Sequence, residues 1–125
     1  MEKLSSKRDI GQSLEEFACA KLREQGLKII ERNYLCKMGE IDLIARDNSQ
    51  LIFIEVRYRK SNIYGGSLES ISLKKQQRII KTAFHYLQKQ NLLNKIACRF
   101  DVIALSGSFN KLEYNWIKAA FDLSR

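Results

Sequence analysis

The sequence contains no proline and only 6 glycines among its 125 residues. Collagen-like chains and proline-rich linkers need many of both, so these two classes are excluded. Cysteine is also scarce, with 3 residues that stand far apart and form no C-x-x-C pair. An odd number of widely spaced cysteines does not build a disulfide framework, and with a single histidine beside them a structural zinc site is not expected. We therefore predict reduced thiols and a fold held by its hydrophobic core.

Long apolar runs are missing as well. No stretch approaches the roughly 18 apolar residues that a membrane-spanning helix requires. Residues 1–10 are charged and lack the apolar centre of a signal peptide. We expect a cytoplasmic protein with no membrane association. We also expect a single domain over residues 1–125, with a frayed segment at residues 1–8.

What the sequence has in excess is positive charge. Lysine and arginine number 22 against 14 aspartates and glutamates, which gives a formal net charge of +8. Such an excess attracts polyanions, most often nucleic acids or an anionic membrane surface. The alternative is that the charge only keeps the protein soluble, so net charge by itself does not decide the function.

Hydrophobic periodicity and turn residues predict the element order α-β-β-β-α-β-β-(α). Helices are predicted at residues 11–25 and 72–90, strands at 27–34, 40–46, 51–58, 99–106 and 112–117, and a short closing helix at 118–123. A loop with two adjacent glycines is predicted at residues 61–66. This order is typical of an α/β protein with a mixed central sheet of about five strands flanked by helices.

Two carboxylates lie on adjacent predicted strands. If Asn48 and Ser49 form a two-residue hairpin loop, Asp42 lies directly opposite Glu55 on one face of the sheet. Facing carboxylates repel each other unless a proton or a cation lies between them. Mg²⁺ binds one or two carboxylates and keeps several waters, so the pair is a candidate divalent-metal site. The alternatives are ordinary ion pairs with lysine or arginine, a solvated edge, or a one-residue shift that separates the acids.

The same register places Glu40 opposite Arg57 and Ile44 opposite Phe53. The other face of the two strands is then wholly apolar, with the pairs Ile41–Val56, Leu43–Ile54 and Ala45–Ile52. The two acids are therefore expected on a largely buried sheet. Because an unpaired buried carboxylate is costly, an arranged role is favoured over accident.

Several stretches together resemble the YraN family of small bacterial proteins. They are residues 11–18 (GQSLEEFA), 31–34 (ERNY), 39–45 (GEIDLIA), 53–59 (FIEVRYR), 74–78 (KKQQR) and 99–103 (RFDVI). More distantly, Asp42 followed by Ile54-Glu55-Val56-Arg57 resembles the D…(E)-x-K core of the restriction-endonuclease-like, or PD-(D/E)XK, nucleases. The element order is similar to that of Holliday-junction resolvases. These resemblances imply a nuclease-like fold and DNA binding.

The nuclease resemblance implies roles for particular residues. Asp42 and Glu55 match the carboxylates that bind a catalytic Mg²⁺ or Mn²⁺ ion. Glu15 matches the first-helix glutamate of the resolvases, and the alternative for it is an acid favoured by the helix macrodipole.

Arg57 departs from the nuclease pattern, which has a lysine there that orients the attacking water or stabilises developing negative charge. An arginine stays protonated, so it can clamp a phosphate but cannot act as a base. Lys74 or Lys75, near the start of the second long helix, is the candidate for a relocated lysine.

A basic stripe is predicted on the second long helix, because helical spacing puts its members on one side. Its members are Lys74, Arg78, Lys81 and His85. A second basic run, Arg57, Arg59 and Lys60, leads from the carboxylate strand toward this helix. Residues of this kind hold phosphates without sequence preference. A plain solvated helix face is the alternative.

Three further residues have two interpretations each. Asp101 beside Arg99 is interpreted as a structural ion pair, with a catalytic role as the alternative. Tyr58 and Tyr64 are candidates for stacking on unpaired bases, with core or loop packing as the alternative.

Three hypotheses for the function follow. The first is a Mg²⁺- or Mn²⁺-dependent endonuclease acting on branched or single-stranded DNA, in which Asp42 and Glu55 hold the metal, Glu15 assists and Arg57 clamps the phosphate. The second is a non-catalytic nucleic-acid-binding module that has lost the nuclease lysine. The third is a cytosolic protein that binds a protein partner. A homodimer is expected by analogy with resolvase-like folds.

Overall fold

The computed structural model describes residues 7–60 and 71–122. Its elements follow the order α-β-β-β-α-β-β. They are α1 (Lys7–Glu24), β1 (Lys28–Cys36), β2 (Gly39–Arg46), β3 (Gln50–Arg59), α2 (Leu73–Lys89), β4 (Ala97–Ser108) and β5 (Lys111–Phe121). The predicted α/β class and the five-stranded mixed sheet are confirmed.

The five strands form one sheet in the order β1-β2-β3-β4-β5. Neighbouring strands are antiparallel except β3 and β4, which run parallel. A parallel pair needs a crossover connection, and the chain between β3 and β4 contains α2. The β2–β3 turn is held by Asp47, whose Oδ1 accepts from the backbone N–H of Ser49 at 2.9 Å and of Gln50 at 2.7 Å. This turn sets the predicted pairing of β2 with β3, seen in Ala45↔Ile52.

The two helices cover opposite faces of the sheet, here called the α1 face and the α2 face. Helical spacing places Leu14, Ala18 and Leu22 of α1 on one side, and they are buried against the α1 face. That face carries Leu43, Ala45, Ile52, Ile54, Ile103 and Leu105. The α2 face carries Ile44, Leu51, Phe53, Phe100 and Val102, packed against Ile79, Ile80, Ala83 and Leu87 of α2. Within the described ranges, neither helix is long and apolar enough to cross a membrane.

The first helix begins earlier than predicted. Lys7 and Arg8 belong to α1, although they fall in the segment predicted to be frayed, and residues 1–6 lie outside the described residues. At the other end, Gly26 adopts a φ of +90°, and the backbone N–H of Leu27 donates to the Leu22 carbonyl at 3.1 Å. This arrangement ends a helix at a glycine and turns the chain into β1. The predicted loop at residues 61–66, with Tyr64, also lies outside the described residues.

The short closing helix predicted at residues 118–123 is wrong. β5 continues to Phe121 and pairs with β4, where Phe100 lies opposite Phe121 and their rings stack with centroids 4.9 Å apart. Two adjacent alanines favour a helix locally, but pairing with a neighbouring strand outweighs that preference. Ala119, with a φ of +52°, marks the irregularity through which the strand continues. Leu123 lies outside the described residues.

Candidate metal centre

β2 and β3 separate at the point where Asp42 and Glu55 lie. Their backbone pairing runs from Arg46↔Leu51 to Leu43↔Ile54, whereas β3 stays paired with β4 as far as Arg59. Beyond Leu43, a side chain continues the connection: Asp42 Oδ2 accepts from the backbone N–H of Val56 at 2.9 Å. The carboxylate thus satisfies a backbone donor that a strand carbonyl would otherwise satisfy.

Asp42 also marks a change of face along β2. Ile41 packs in the cluster on the α2 face, whereas Leu43 packs on the α1 face. Positions 41 and 43 of a regular strand share a face, so the prediction that Ile41 lies beside Leu43 and Ala45 is wrong. The neighbouring strand is irregular at the same level, because Asn33 stands opposite Asp42 between two paired positions and adopts a φ of +54°.

A cavity of about 220 Å³ lies at this separation. Its lining residues are Gly39, Glu40, Asp42, Glu55, Lys75, Arg78 and Ile79. β2 and α2 come close together here, since a Cβ added at Gly39, whose φ is +151°, would lie 3.2 Å from Thr82 Oγ1. The cavity therefore has acids on the strands and bases on the helix.

Glu55 is the most buried acid of this cavity, with 5% of its surface exposed. Its Oε1 lies 3.3 Å from Lys75 Nζ, and its buried Oε2 has no hydrogen-bond partner among the described residues. A buried carboxylate oxygen without a partner is costly. Burial and then the nearby Asp42 carboxylate raise the pKa of Glu55, while Lys75 opposes the increase. One oxygen of Glu55 is thus positioned to accept a cation.

The pKa of Asp42 is raised too, first by burial and then by the neighbouring acids Glu15 and Glu40. The Val56 N–H and Lys75 oppose this increase. Both carboxyl groups resist ionisation because the nearby positive charge does not balance two negative charges. A hard divalent cation bound between them would provide the missing positive charge. No group of three or more His, Cys, Asp or Glu side chains suited to a metal occurs in the described part of the chain. The donor set fits an ion such as Mg²⁺, which takes one or two carboxylates and keeps several waters.

Glu15 lies near this pair but is held elsewhere. Its Oε1 accepts from Asn33 Nδ2 at 3.0 Å and lies 3.7 Å from Arg32 Nη2. It is not among the described residues that line the cavity, and it acts on Asp42 through its charge. The macrodipole interpretation of Glu15 is wrong, because α1 begins at Lys7 and the dipole effect is confined to the first turn. A catalytic role for Glu15 stays a prediction.

The structure distinguishes the two candidates for a relocated lysine. Ser72 caps α2 by accepting from the Lys75 backbone N–H at 3.2 Å, and the Lys75 side chain reaches Glu55. Lys74 is exposed and lies outside the described lining of the cavity. Arg57 is half-buried on β3 opposite Ala104 and does not belong to that lining either. Lys75 is therefore the candidate lysine whose side chain contacts the acidic pair.

The remaining predicted phosphate contacts lie at the end of β3 and on α2. Arg59 and Lys60, at the end of β3, are exposed, as are Lys74, Arg78 and Lys81 on α2. Arg78 also lines the cavity. His85, the last predicted member of the basic stripe, is half-buried. Its Nδ1 lies 2.6 Å from the Tyr34 hydroxyl oxygen, so it contacts β1.

Asp101 has a structural role. It is fully buried, and its oxygens accept from Arg99 Nε at 3.0 Å, Trp116 Nε1 at 2.8 Å and the Ala119 backbone N–H at 2.9 Å. These contacts tie β4 to β5 and confirm the predicted ion pair with Arg99.

Sequence reasoning did not assign Glu40, Arg78 or Ile79 to the cavity. The signal for the helix side was present, because Lys75, Arg78 and Ile79 are spaced i, i+3 and i+4 and share one side of α2. The role of the Val56 backbone N–H could not be predicted in this way, because every residue except proline has such a donor and the residue type does not reveal it. The predicted pairing of Glu40 with Arg57 lies beyond the end of the β2–β3 ladder and stays a prediction.

Fold and site together define a class: an α/β protein whose five-stranded sheet carries a buried acidic pair under a basic helix. The profile of Uncharacterised protein family UPF0102 matches residues 14–105, and the chain belongs to this family, also called the YraN family. A UPF0102 protein of Pseudomonas syringae pv. syringae is 43% identical over 119 residues, covering 94% of this chain and 97% of the relative. The relative from Legionella pneumophila strain Corby is 46% identical over 112 residues, covering 90% and 93%. That from Coxiella burnetii is 46% identical over 114 residues, covering 91% and 92%.

Among solved structures, the chain is similar to SfsA of Pyrococcus furiosus in complex with Ca²⁺. The TM-score is 0.38 at 14% sequence identity, and the match covers 89% of this chain and 61% of that one.

Proposed function

We propose that this protein is a divalent-metal-dependent endonuclease acting on DNA. The observation that carries the proposal is the buried Oε2 of Glu55, which has no partner among the described residues and lies beside Asp42 in a cavity lined by Lys75 and Arg78. Metal-dependent phosphodiester hydrolysis requires carboxylates that bind a cation, and basic side chains beside them can bind the phosphate. The role rests on this site, since a fold alone does not imply a function.

Asp42 and Glu55 are the residues that would hold Mg²⁺ or Mn²⁺. A divalent ion held by these two carboxylates would supply hydroxide as the nucleophile at neutral pH and would stabilise the leaving oxygen. The Val56 backbone N–H donates a hydrogen bond to one Asp42 oxygen, and this bond holds the carboxylate in a fixed orientation.

The basic residues act on the phosphate. Lys75, whose Nζ lies 3.3 Å from Glu55 Oε1, places a positive charge beside the metal ligands, where negative charge develops on the phosphate in the transition state. Arg78 on the rim and Arg57 on β3 are assigned to holding phosphate oxygens, which a guanidinium contacts in a forked geometry. Lys75 thereby takes over the charge role of the lysine that the nuclease pattern has at the position of Arg57.

The exposed basic residues extend the proposed contact with DNA beyond the cleaved phosphate. They are Arg59, Lys60, Lys74 and Lys81. Phosphate contacts of this kind give affinity that falls steeply with salt and carry no sequence information. Binding is therefore expected to be salt-sensitive and to tolerate any sequence.

A second candidate function is DNA binding without cleavage. The observation that favours it is Arg57, which stands where the nuclease pattern has lysine and cannot act as a base. In this case the acidic pair binds a structural cation, and the basic residues alone account for DNA binding.

The test is cleavage of branched, single-stranded and duplex DNA by the purified protein with Mn²⁺ or Mg²⁺. Glu55→Gln and Asp42→Asn should abolish cleavage while DNA binding survives, and Glu113→Gln, an exposed acid on β5, is the matched control. Calorimetric titration should show a Mn²⁺ site in the wild type and in Glu113→Gln but not in the other two variants.

Three other outcomes have definite meanings. A Mn²⁺ site and salt-sensitive binding without cleavage would support the second candidate function. Cleavage that persists in both Glu55→Gln and Asp42→Asn would show that the acidic pair is not the catalytic site. Absence of any salt-sensitive DNA binding would refute both functions and leave a protein-binding role.

A further inference from the structure

An aromatic pair with one exposed ring lies at the carboxyl end of β3, outside the metal centre. Phe109, in the turn between β4 and β5, is 42% exposed. Its ring stacks on Tyr58 with centroids 5.9 Å apart and an interplanar angle of 29°. A phenyl ring left this open to water forgoes the free energy of burial, about 25 cal/mol for each Å² of apolar surface.

The turn that presents Phe109 is anchored to β3. The Tyr58 hydroxyl donates to the Gly107 carbonyl at 2.6 Å, and the Gly107 N–H donates to the Lys60 carbonyl at 3.3 Å. Gly107 has a φ of +94°, and a Cβ there would lie 2.6 Å from the Lys111 carbonyl oxygen, so the turn requires glycine. The aromatic pair is thus held in place before any ligand arrives, which lowers the entropy cost of binding.

Basic residues flank the pair along the chain. Arg59 and Lys60 follow Tyr58 directly, and Lys111 follows the turn; all three are exposed. Glu113 is an exposed acid two residues beyond Lys111, so basic residues outnumber acidic ones here. An exposed ring among cations suits a nucleic acid strand, whose base stacks on the ring while its phosphates contact the cations.

The position of the pair relative to the acids selects the form of the strand. Tyr58 packs with the cluster on the α1 face, whereas Glu55 contacts Lys75 on the α2 side of the sheet. Three steps along β3 span roughly 10 Å, which is about three stacked nucleotides. Because the two side chains lie on opposite faces of the sheet, a nucleic acid strand that reaches both must pass around the end of β3, over a path longer than this. Duplex DNA is too stiff for such a turn, with a persistence length of about 150 base pairs, whereas an unpaired strand can make it.

We propose that Phe109 and Tyr58 form a stacking platform for an unpaired base, so that the DNA bound by this protein has a single-stranded segment next to the metal centre. The inference rests on the proposed function and names its substrate class. Stacking on an aromatic ring tolerates every base, because each base has a π-face. The platform therefore selects unpaired DNA and not a particular sequence.

The test compares Phe109→Ala with Phe84→Ala, a matched control on α2 with 41% exposure. Wild type and variants are titrated in EDTA, which prevents cleavage, with a fluorescein-labelled oligothymidine of about 16 nucleotides, the upper end of the site sizes known for strand-binding domains, and with a blunt duplex of the same length. Phe109→Ala should weaken binding of the oligothymidine by roughly 5- to 150-fold and leave duplex binding within about twofold. Phe84→Ala should change neither. Phe109→Trp should keep the affinity and show fluorescence quenching on binding the oligothymidine.

Each other outcome overturns the platform. Equal affinities of Phe109→Ala and wild type for the oligothymidine, or equal losses for oligothymidine and duplex, would show that the ring is not a stacking partner. An equal loss in Phe84→Ala would show that any exposed ring matters. Failure of the proposed function looks different, since the wild type itself would then show neither salt-sensitive binding nor metal-dependent cleavage.

Discussion

Glu55→Gln is expected to make the metal-free protein less sensitive to rising pH while it removes the metal site. The glutamate is nearly inaccessible to solvent, and its ionised form faces Asp42. Burial, followed by the Asp42 charge, raises the pKa of Glu55 from 4.5 to about 7. A glutamine carries no charge at any pH, so the variant removes this ionisation from the folded state.

The sign follows from proton linkage. A carboxyl whose pKa is raised on folding holds its proton more tightly in the folded state than in the unfolded one. Its contribution to the free energy of unfolding is therefore fully present below pH 4.5 and is lost as the pH rises through about 7. At 1.36 kcal/mol for each pKa unit, the shift of Glu55 corresponds to roughly 3 kcal/mol lost across that window. Asp42, whose pKa is also raised, adds to the loss in the same direction.

Urea unfolding of the metal-free protein between pH 4.5 and pH 8, followed by circular dichroism, measures this loss. The free energy of unfolding of the wild type should fall across the window, whereas Glu55→Gln should lack roughly 3 kcal/mol of that fall. Glu113→Gln should follow the wild type. Mn²⁺ at about 100 times its Kd should restore roughly 2.7 kcal/mol at pH 8 in the wild type and nothing in Glu55→Gln. A wild-type stability that stays level or rises over the window, with the same profile in Glu55→Gln, would refute the reasoning.

Three further predictions concern other parts of the molecule. Lys75→Gln should retain Mn²⁺ binding in calorimetry but lose cleavage in the Mn²⁺ assay by about 100-fold or more, a typical loss for one electrostatic contact in a transition state; unchanged cleavage would remove Lys75 from the mechanism. Asp101→Ala should lower the free energy of unfolding in urea by about 3–5 kcal/mol, because it deprives Arg99 and Trp116 of a buried partner; a loss below about 1 kcal/mol would contradict the structural role. Gly107→Ala should cost about 1–3 kcal/mol in the same assay, because alanine is strained at a φ of +94° and its Cβ meets the Lys111 carbonyl oxygen; an unchanged midpoint would show that the turn adapts.

The acidic pair shows how far local signals reach. Turn-forming residues at positions 47–50 set the pairing of β2 with β3, and the observed partner Phe53 of Ile44 is the one predicted. Asp42 and Glu55 follow from that register, which is why both were predicted to come together and both line the cavity. Such predictions succeed because side chains alternate along neighbouring strands and a short turn fixes their register.

Long-range contacts decided the points that failed. Ile41 lies on the α2 face where β1 has the left-handed Asn33 opposite Asp42, and no pattern within β2 itself indicates this change of face. The end of the chain was predicted as a helix from its alanines, yet pairing with β4 makes it a strand. Lys74 and Lys75 are neighbours in the sequence, and the way α2 lies against the sheet brings Lys75 to Glu55 and leaves Lys74 exposed.

The sequence by itself determined the α/β class, the order of all elements but the last, the family, and the placement of Asp42 and Glu55 near each other. These properties depend on periodicity, turn chemistry and residue type, which are local. The tertiary structure alone decided that Glu55 keeps one buried oxygen without a partner among the described residues, that Lys75 is its counter-charge, and that Phe109 stacks on Tyr58. Each of these depends on contacts between elements that are far apart in the sequence, and the packing of the helices on the sheet determines those contacts.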